Sequence, residues 1–209
     1  KSKSGHDPQG GAVEVVGFTK MADGSREEYE FLDKMEHEFI DGLPERIFEH
    51  LRSLDESISG YRVSRLAHSL QSATRAHRAG EAEEMVVAAL LHDIGDMLAP
   101  MSHSEMAAAV LRPFVTEKTY WIIKHHGMFQ MFYYAHYRGG DRNARDRFID
   151  HPWYADTVRF CEEYDQNCFD PEYRHEPLAF FEPMVRRLFR HDNASDYEIA
   201  ARSGTTQAA

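Results

Sequence analysis

VVAALLHDIGDMLAP, residues 86–100, decides how this chain is read. Six apolar or small residues, Val86 to Leu91, run straight into a histidine and an aspartate, His92 and Asp93. An imidazole and a carboxylate at the end of an apolar helix are costly to bury unless hydrogen bonds or a cation compensate them. A self-satisfied His–Asp pair is one solution. A metal site is the other, and it demands further ligands elsewhere in the chain.

Outward from this stretch, apolar residues recur at three- and four-residue intervals and period-two alternation is essentially absent, which predicts an all-α helical bundle. Ser25 and Glu28 carry a capping-box signature ahead of Phe31, Met35 and Phe39. Pro44 suits the first turn of a second helix that places Ile47, Phe48, Leu51 and Leu54 on one face. Further helices are expected over about 61–79 and 83–97, from a Ser102/Glu105 capping box to about 112, over about 116–137, from Pro152, and around Leu178, Phe181, Val185 and Leu188. No interior linker divides the 209 residues, so the expectation is a loose arm over 1–24, one domain over 25–190 and a frayed tail over 191–209. A formal charge of −11 argues against a general nucleic-acid binder. No apolar run approaches the roughly 20 residues of a membrane span, and a cytoplasmic protein with no membrane partner is expected. Cys161 and Cys168 are too few for a disulfide framework and are read as reduced thiols.

The pair at residues 92 and 93 has company. His68, His92 with Asp93, His103, His126 and Asp165 fall in turn on the third to the seventh expected helices. Imidazoles and carboxylates without thiolates suit a reactive first-row metal centre better than a structural zinc site. Neighbours on a helix point about 100° apart, so His92 and Asp93 aim at different parts of one site. A carboxylate can also bridge two ions through its two oxygens. The resulting assignment gives one metal to His68, His92 and Asp165, a second to His103 and His126, and Asp93 to both, with His92 and Asp93 at the catalytic heart.

This H…HD…H…H…D order, spread over about residues 60–170, resembles the HD-domain superfamily. LAHSLQSA (66–73), ALLHDIGD (89–96), HSEMAAAVLRPF (103–114), KHHGMFQ (124–130) and HPWYADTVRFCEEYD (151–165) are together similar to its mixed-valent diiron oxygenases. That group includes myo-inositol oxygenase and the enzymes that cleave the C–P bond of 2-amino-1-hydroxyethylphosphonate or its N-trimethyl analogue; HSLQ and the HP before the distal Asp look closer to the phosphonate branch. The resemblance implies two iron ions in the Fe2+/Fe3+ state, O2 as co-substrate and a small organophosphonate whose hydroxyl and phosphonate oxygens chelate the metals. Phosphate and glycine or glycine betaine would be the products. It also favours His126 over its neighbour His125 as ligand. The alternative is an HD-domain phosphohydrolase, in which a metal-bridging hydroxide attacks a phosphoester; no nucleotide-binding glycine-rich loop accompanies it here.

Two positions depart from the phosphonate pattern: Asp96 stands where a second His is expected and Gln130 where a Lys is expected. Both remove positive character, which favours the trimethylammonium substrate. Phe129, Phe132, Tyr133, Tyr134 and Tyr137 offer faces to such a cation, although 129, 133 and 137 also recur as a core stripe does. Arg142 and Arg145, in a glycine-containing loop, are candidates to clamp a phosphonate or are simply solvated. Tyr29 and Tyr61 are candidates for a lid over an open iron position.

Overall fold

The computed structural model describes residues 15–190, 192 and 194, so residues 1–14 of the expected arm and most of the expected tail lie outside the described residues. The fold is all-α, with no strand among the described residues. The helices are α1 (Arg26–Asp41), α2 (Leu43–Ser53), α3 (Arg65–Arg78), α4 (Glu83–Leu91), α5 (His103–Leu111), α6 (Glu117–Tyr134), α7 (Tyr154–Phe160) and α8 (Leu178–Leu188). None is long and apolar enough to cross a membrane.

The chain divides into two compact units, one ending at Gly42 and the other beginning at Leu43. In that first unit the capping box forms as expected: the Ser25 hydroxyl accepts from the Glu28 N–H, and the Glu28 carboxylate accepts from the Ser25 N–H. The same carboxylate accepts from the Gly17 N–H at 2.6 Å, which ties the preceding loop to α1. Tyr29 packs on the Phe18 ring and donates its hydroxyl to the Met21 carbonyl.

The second unit is built around α4. Val86 to Leu91 are all buried, so this helix is apolar on every side, and α3, α6 and α8 pack against it. Past His92 the backbone tightens: the amides of Ile94, Asp96 and Leu98 bond the carbonyls three residues back. The helix therefore ends at Leu91 rather than near 97, and a compact turn carries Asp93, Gly95 and Asp96. Ser102 makes no side-chain cap; its carbonyl, not its hydroxyl, meets the Glu105 and Met106 amides. At the end of α6 a 3-10 turn, Ala135–Arg138, closes on Gly139 at φ 74°, a left-handed value that favours glycine. Beyond α7 the chain makes one π-helical turn, Cys161–Asp165, sealed by a 2.9 Å bond from the Gln166 N–H to the Cys161 carbonyl. Single π turns of this kind are frequent at functional sites. Cys161 and Cys168 are free thiols, and both are buried.

Candidate metal centre

Six side chains from five separate segments converge. His68 comes from α3, His92 and Asp93 from the turn after α4, His103 from the first turn of α5, His126 from mid-α6 and Asp165 from the π turn. His68 Nε2 lies 3.0 Å from His92 Nε2, 3.2 Å from Asp93 Oδ2 and 3.4 Å from Asp165 Oδ1. His92 Nε2 is 3.5 Å from the same Asp93 oxygen and 3.7 Å from the same Asp165 oxygen. These four atoms form one donor set. The other oxygen of Asp93, Oδ1, stands 3.4 Å from His103 Nε2 and 3.4 Å from His126 Nε2, forming a second. One carboxylate thus faces both sets, each through its own oxygen.

The imidazoles are oriented to present lone pairs. The Nδ1 atoms of His68, His92 and His126 sit 3.0, 2.7 and 2.6 Å from the main-chain carbonyls of Cys168, Ala89 and Ile123. A carbonyl only accepts, so each Nδ1 carries the proton and each Nε2 turns its lone pair inward. The His68 and His92 lone pairs then meet at 3.0 Å inside a buried site. Such a contact is stable only with a proton or a cation between the nitrogens. The charges agree: burial opposes a charged His68, but Asp165 and Asp93 outweigh it and raise its pKa to about 9. Burial likewise opposes ionised Asp93, yet His92, His126 and His68 hold it well below the usual carboxylate range. The same pull that holds a proton on His68 would hold a metal ion, and the donor set fits one. Groups drawn from all six residues have ligand atoms close enough to share an ion.

His125 stays out of the cluster. Its Nδ1 donates to the Trp121 carbonyl at 2.8 Å and its ring stacks on the Trp121 ring, centroids 4.1 Å apart.

A cavity of about 590 Å³ opens over the cluster. Asp93, His103, His126 and Asp165 reach it, with Asp96 and Gln130 beside them. Tyr61, Tyr133, Tyr134 and Phe169 supply aromatic wall. Tyr61 stacks on Phe169, and Phe169 stacks in turn on His68. Gln130 donates from Nε2 to Asp165 Oδ1 at 3.1 Å and leaves its own Oε1 buried without a partner. Of the aromatic run, Phe129 is core, whereas Tyr137 is 82% exposed. Arg142 and Arg145 are not among the cavity-lining residues; both lie over the Phe132 ring, at 4.2 and 3.8 Å. Tyr29 belongs to the first unit, with the Met21 bond described above.

The sequence reading missed Arg65, Arg138 and Phe169, all of which line the cavity. Arg65 places Nη1 3.4 Å from Asp93 Oδ2 and Nε 2.7 Å from Asp96 Oδ2. The charge that Asp96 takes from the pocket is therefore offset by an arginine. Its signal was the spacing: Arg65 precedes His68 by three residues, on the same helix face. Arg138 has no carboxylate partner among the described residues and lies over the Tyr134 ring at 5.0 Å.

Two glycines make the convergence possible. A Cβ on Gly95 would lie 2.6 Å from the His103 carbonyl oxygen, and one on Gly127 would lie 2.5 Å from Ser104 Oγ and 3.3 Å from His103 Nε2. The turn after α4 and the middle of α6 can approach the start of α5 this closely only without side chains.

No curated protein matches the chain. Residues 65–151, which hold five of the six clustered donors, match the family model described as HD domain. The all-α fold and the His/Asp cluster are consistent with that match: an HD domain is found over residues 65–151, and the clustered side chains could hold metal ions.

Proposed function

We propose that this chain is an iron- and O2-dependent HD-domain oxygenase that cleaves the C–P bond of a 1-hydroxy-2-(amino or trimethylammonio)ethylphosphonate. The supporting observation for a two-ion centre is Asp93, whose two oxygens face two different donor sets. His68, His92 and Asp165 would hold one iron, His103 and His126 the other, and Asp93 both. Iron and the oxygenase chemistry rest on the resemblance of the motifs around these six residues. When bound, an Fe2+/Fe3+ pair would supply Lewis acidity and electrons for O2. The net change balances as hydroxyphosphonate plus O2 giving carboxylate, phosphate and one proton, with C1 giving up four electrons.

The protein's own groups have separable tasks in this reading. Asp93 and Asp165 keep their charge in a buried site because imidazoles surround them. Gln130 steadies Asp165 and offers its unpartnered Oε1 to a substrate hydroxyl. Arg138 is the cavity cation left to meet a phosphonate oxygen, a role for which Arg142 and Arg145 were candidates alongside a solvated loop. Tyr61, Tyr133, Tyr134 and Phe169 suit a quaternary ammonium, each ring contributing roughly 0.5–2 kcal/mol. An ammonium also loses hydrogen bonds to water on entering such a cavity, which a trimethylammonium never made.

The test is O2 uptake and phosphate release with both phosphonates at equal iron loading. The trimethylated compound is expected to be preferred by at least about tenfold in kcat/KM, roughly 1.4 kcal/mol, with glycine betaine as co-product. Equal rates would remove the preference and leave the oxygenase standing. Release of phosphate from phosphate esters with manganese, and no O2 uptake, would replace it with the phosphohydrolase.

The ligand choice within the His125–His126 pair has its own check. His126→Ala is expected to lose an ion from the second donor set, whereas His125→Ala keeps both, because its ring is committed to Trp121. Metal content per chain measures this. Equal loss in the two variants would refute the choice.

A further inference from the structure

Three of the four clustered imidazoles are oriented by the main chain, through the carbonyls of Cys168, Ala89 and Ile123. Those acceptors belong to packed backbone and cannot turn away. His103 is different. It stands in the first turn of α5, its side chain is 26% exposed at the cavity, and no carbonyl accepts from its Nδ1 among the described residues. What faces His103 Nδ1 is a side chain, Asp96, with Oδ1 at 3.7 Å. Asp96 is held in turn: its amide bonds the Asp93 carbonyl at 3.0 Å, and its Oδ2 lies 2.7 Å from Arg65 Nε. Its side chain is only 8% exposed.

We propose that Asp96 is the positioning residue of the second donor set: anchored by Arg65, it orients His103 and strengthens it as a ligand, so that the hold on the second ion depends on this one carboxylate. The inference rests on the two-ion reading above. A carboxylate behind a ligating imidazole selects the tautomer, aims the ring and raises its donor strength, and outer partners of this kind are typically worth 10- to 100-fold in metal affinity. The two halves of the centre are therefore unequal. His68, His92 and Asp165 form a set whose imidazoles are clamped by main chain, whereas the His103 and His126 set is tuned through Asp96. It is also the set whose two imidazoles both reach the cavity.

Anaerobic calorimetric titration of the metal-free chain with Fe2+ tests this without reference to turnover. The wild-type chain is expected to bind two ions. Asp96→Ala should bind the first with an affinity within about twofold of wild type and the second about 10- to 100-fold more weakly. Asp96→Asn should recover at most part of that loss, because its amide oxygen keeps the place of Oδ1, 3.7 Å from His103 Nδ1, but carries no charge. Circular dichroism establishes that each variant is folded; should the alanine variant fail to fold, the asparagine variant decides, and an unweakened second ion in it overturns the proposal. Loss of both ions in equal measure, or a second ion unaffected in both variants, also overturns it. A wild-type chain that binds a single ion would sink the two-ion reading itself, a different failure.

Discussion

Asp93→Ala is expected to abolish turnover and to leave the chain unable to hold an ion pair, the largest effect of any single change at this site. Asp93 turns one oxygen to each donor set, with Oδ2 3.2 Å from His68 Nε2 and Oδ1 3.4 Å from both His103 and His126 Nε2. In the two-ion reading proposed above, its removal would take a ligand from each ion at once, together with the negative charge that makes either set attractive to a cation. In the second set only the imidazoles of His103 and His126 would remain. Arg65 then faces the vacated space with Asp96 as its only carboxylate partner, so a positive charge stands where the bridging oxygen had been. Asp93→Asn is expected to be nearly as damaging, since it keeps the shape and loses the charge. Metal content per chain and O2 uptake measure both variants. An alanine variant that retained two ions and half of the wild-type turnover would refute the bridging assignment.

Much of this centre was legible because each donor lies in a segment whose local pattern already announces a helix or its end. Ser25 with Glu28 marked the start of α1, and the unbroken apolar run marked α4 as an apolar helix. What was hidden depends on tertiary approach. Arg65 reads as an ordinary charged residue in the first turn of a helix, and only the arrival of the turn after α4 makes it a partner of Asp93 and Asp96. The loop with Arg142 and Arg145 has no periodicity to say which way it folds, and it lays both guanidiniums on Phe132. The stripe 129, 133, 137 looked uniform at helical spacing, yet α6 ends at Tyr134. Phe129 is therefore core, Tyr133 lines the cavity and Tyr137 is in the following turn. The π turn that carries Asp165 shifts the register away from 3.6 residues per turn, which no hydrophobic pattern encodes.

The two glycines are the least legible residues of all, because their contribution is an absent atom, and the second large prediction follows from that. Gly95→Ala is expected to be far worse than Gly127→Ala, although both add a single methyl group beside His103. At Gly95 the new Cβ meets main chain, the His103 carbonyl oxygen at 2.6 Å and Cα at 2.8 Å, and no rotamer change relieves either contact. At Gly127 the tightest contact, 2.5 Å, is with Ser104 Oγ, a hydroxyl that can rotate aside. Alanine also favours the interior of α6 over glycine by roughly 0.8–1.0 kcal/mol, which offsets part of any strain. Gly95 has no positive φ, so space alone decides its case. Overpacking of this kind costs about 1–3 kcal/mol, and at roughly 2–4 °C per kcal/mol for a chain of this size the melting temperature of Gly95→Ala should fall by several degrees. The functional loss should exceed the structural one. The start of α5 has to move away from the turn, carrying His103 with it, and a misplacement of about 1 Å in a reactive site can cost on the order of 100-fold in rate. Thermal melting and Fe2+ stoichiometry on the two alanine variants side by side test this: Gly95→Ala should melt lower and lose the second ion, while Gly127→Ala stays closer to wild type in both. A Gly95→Ala variant with an unchanged melting temperature and two tightly bound ions would mean that the close approach of this turn to α5 does not govern the position of His103.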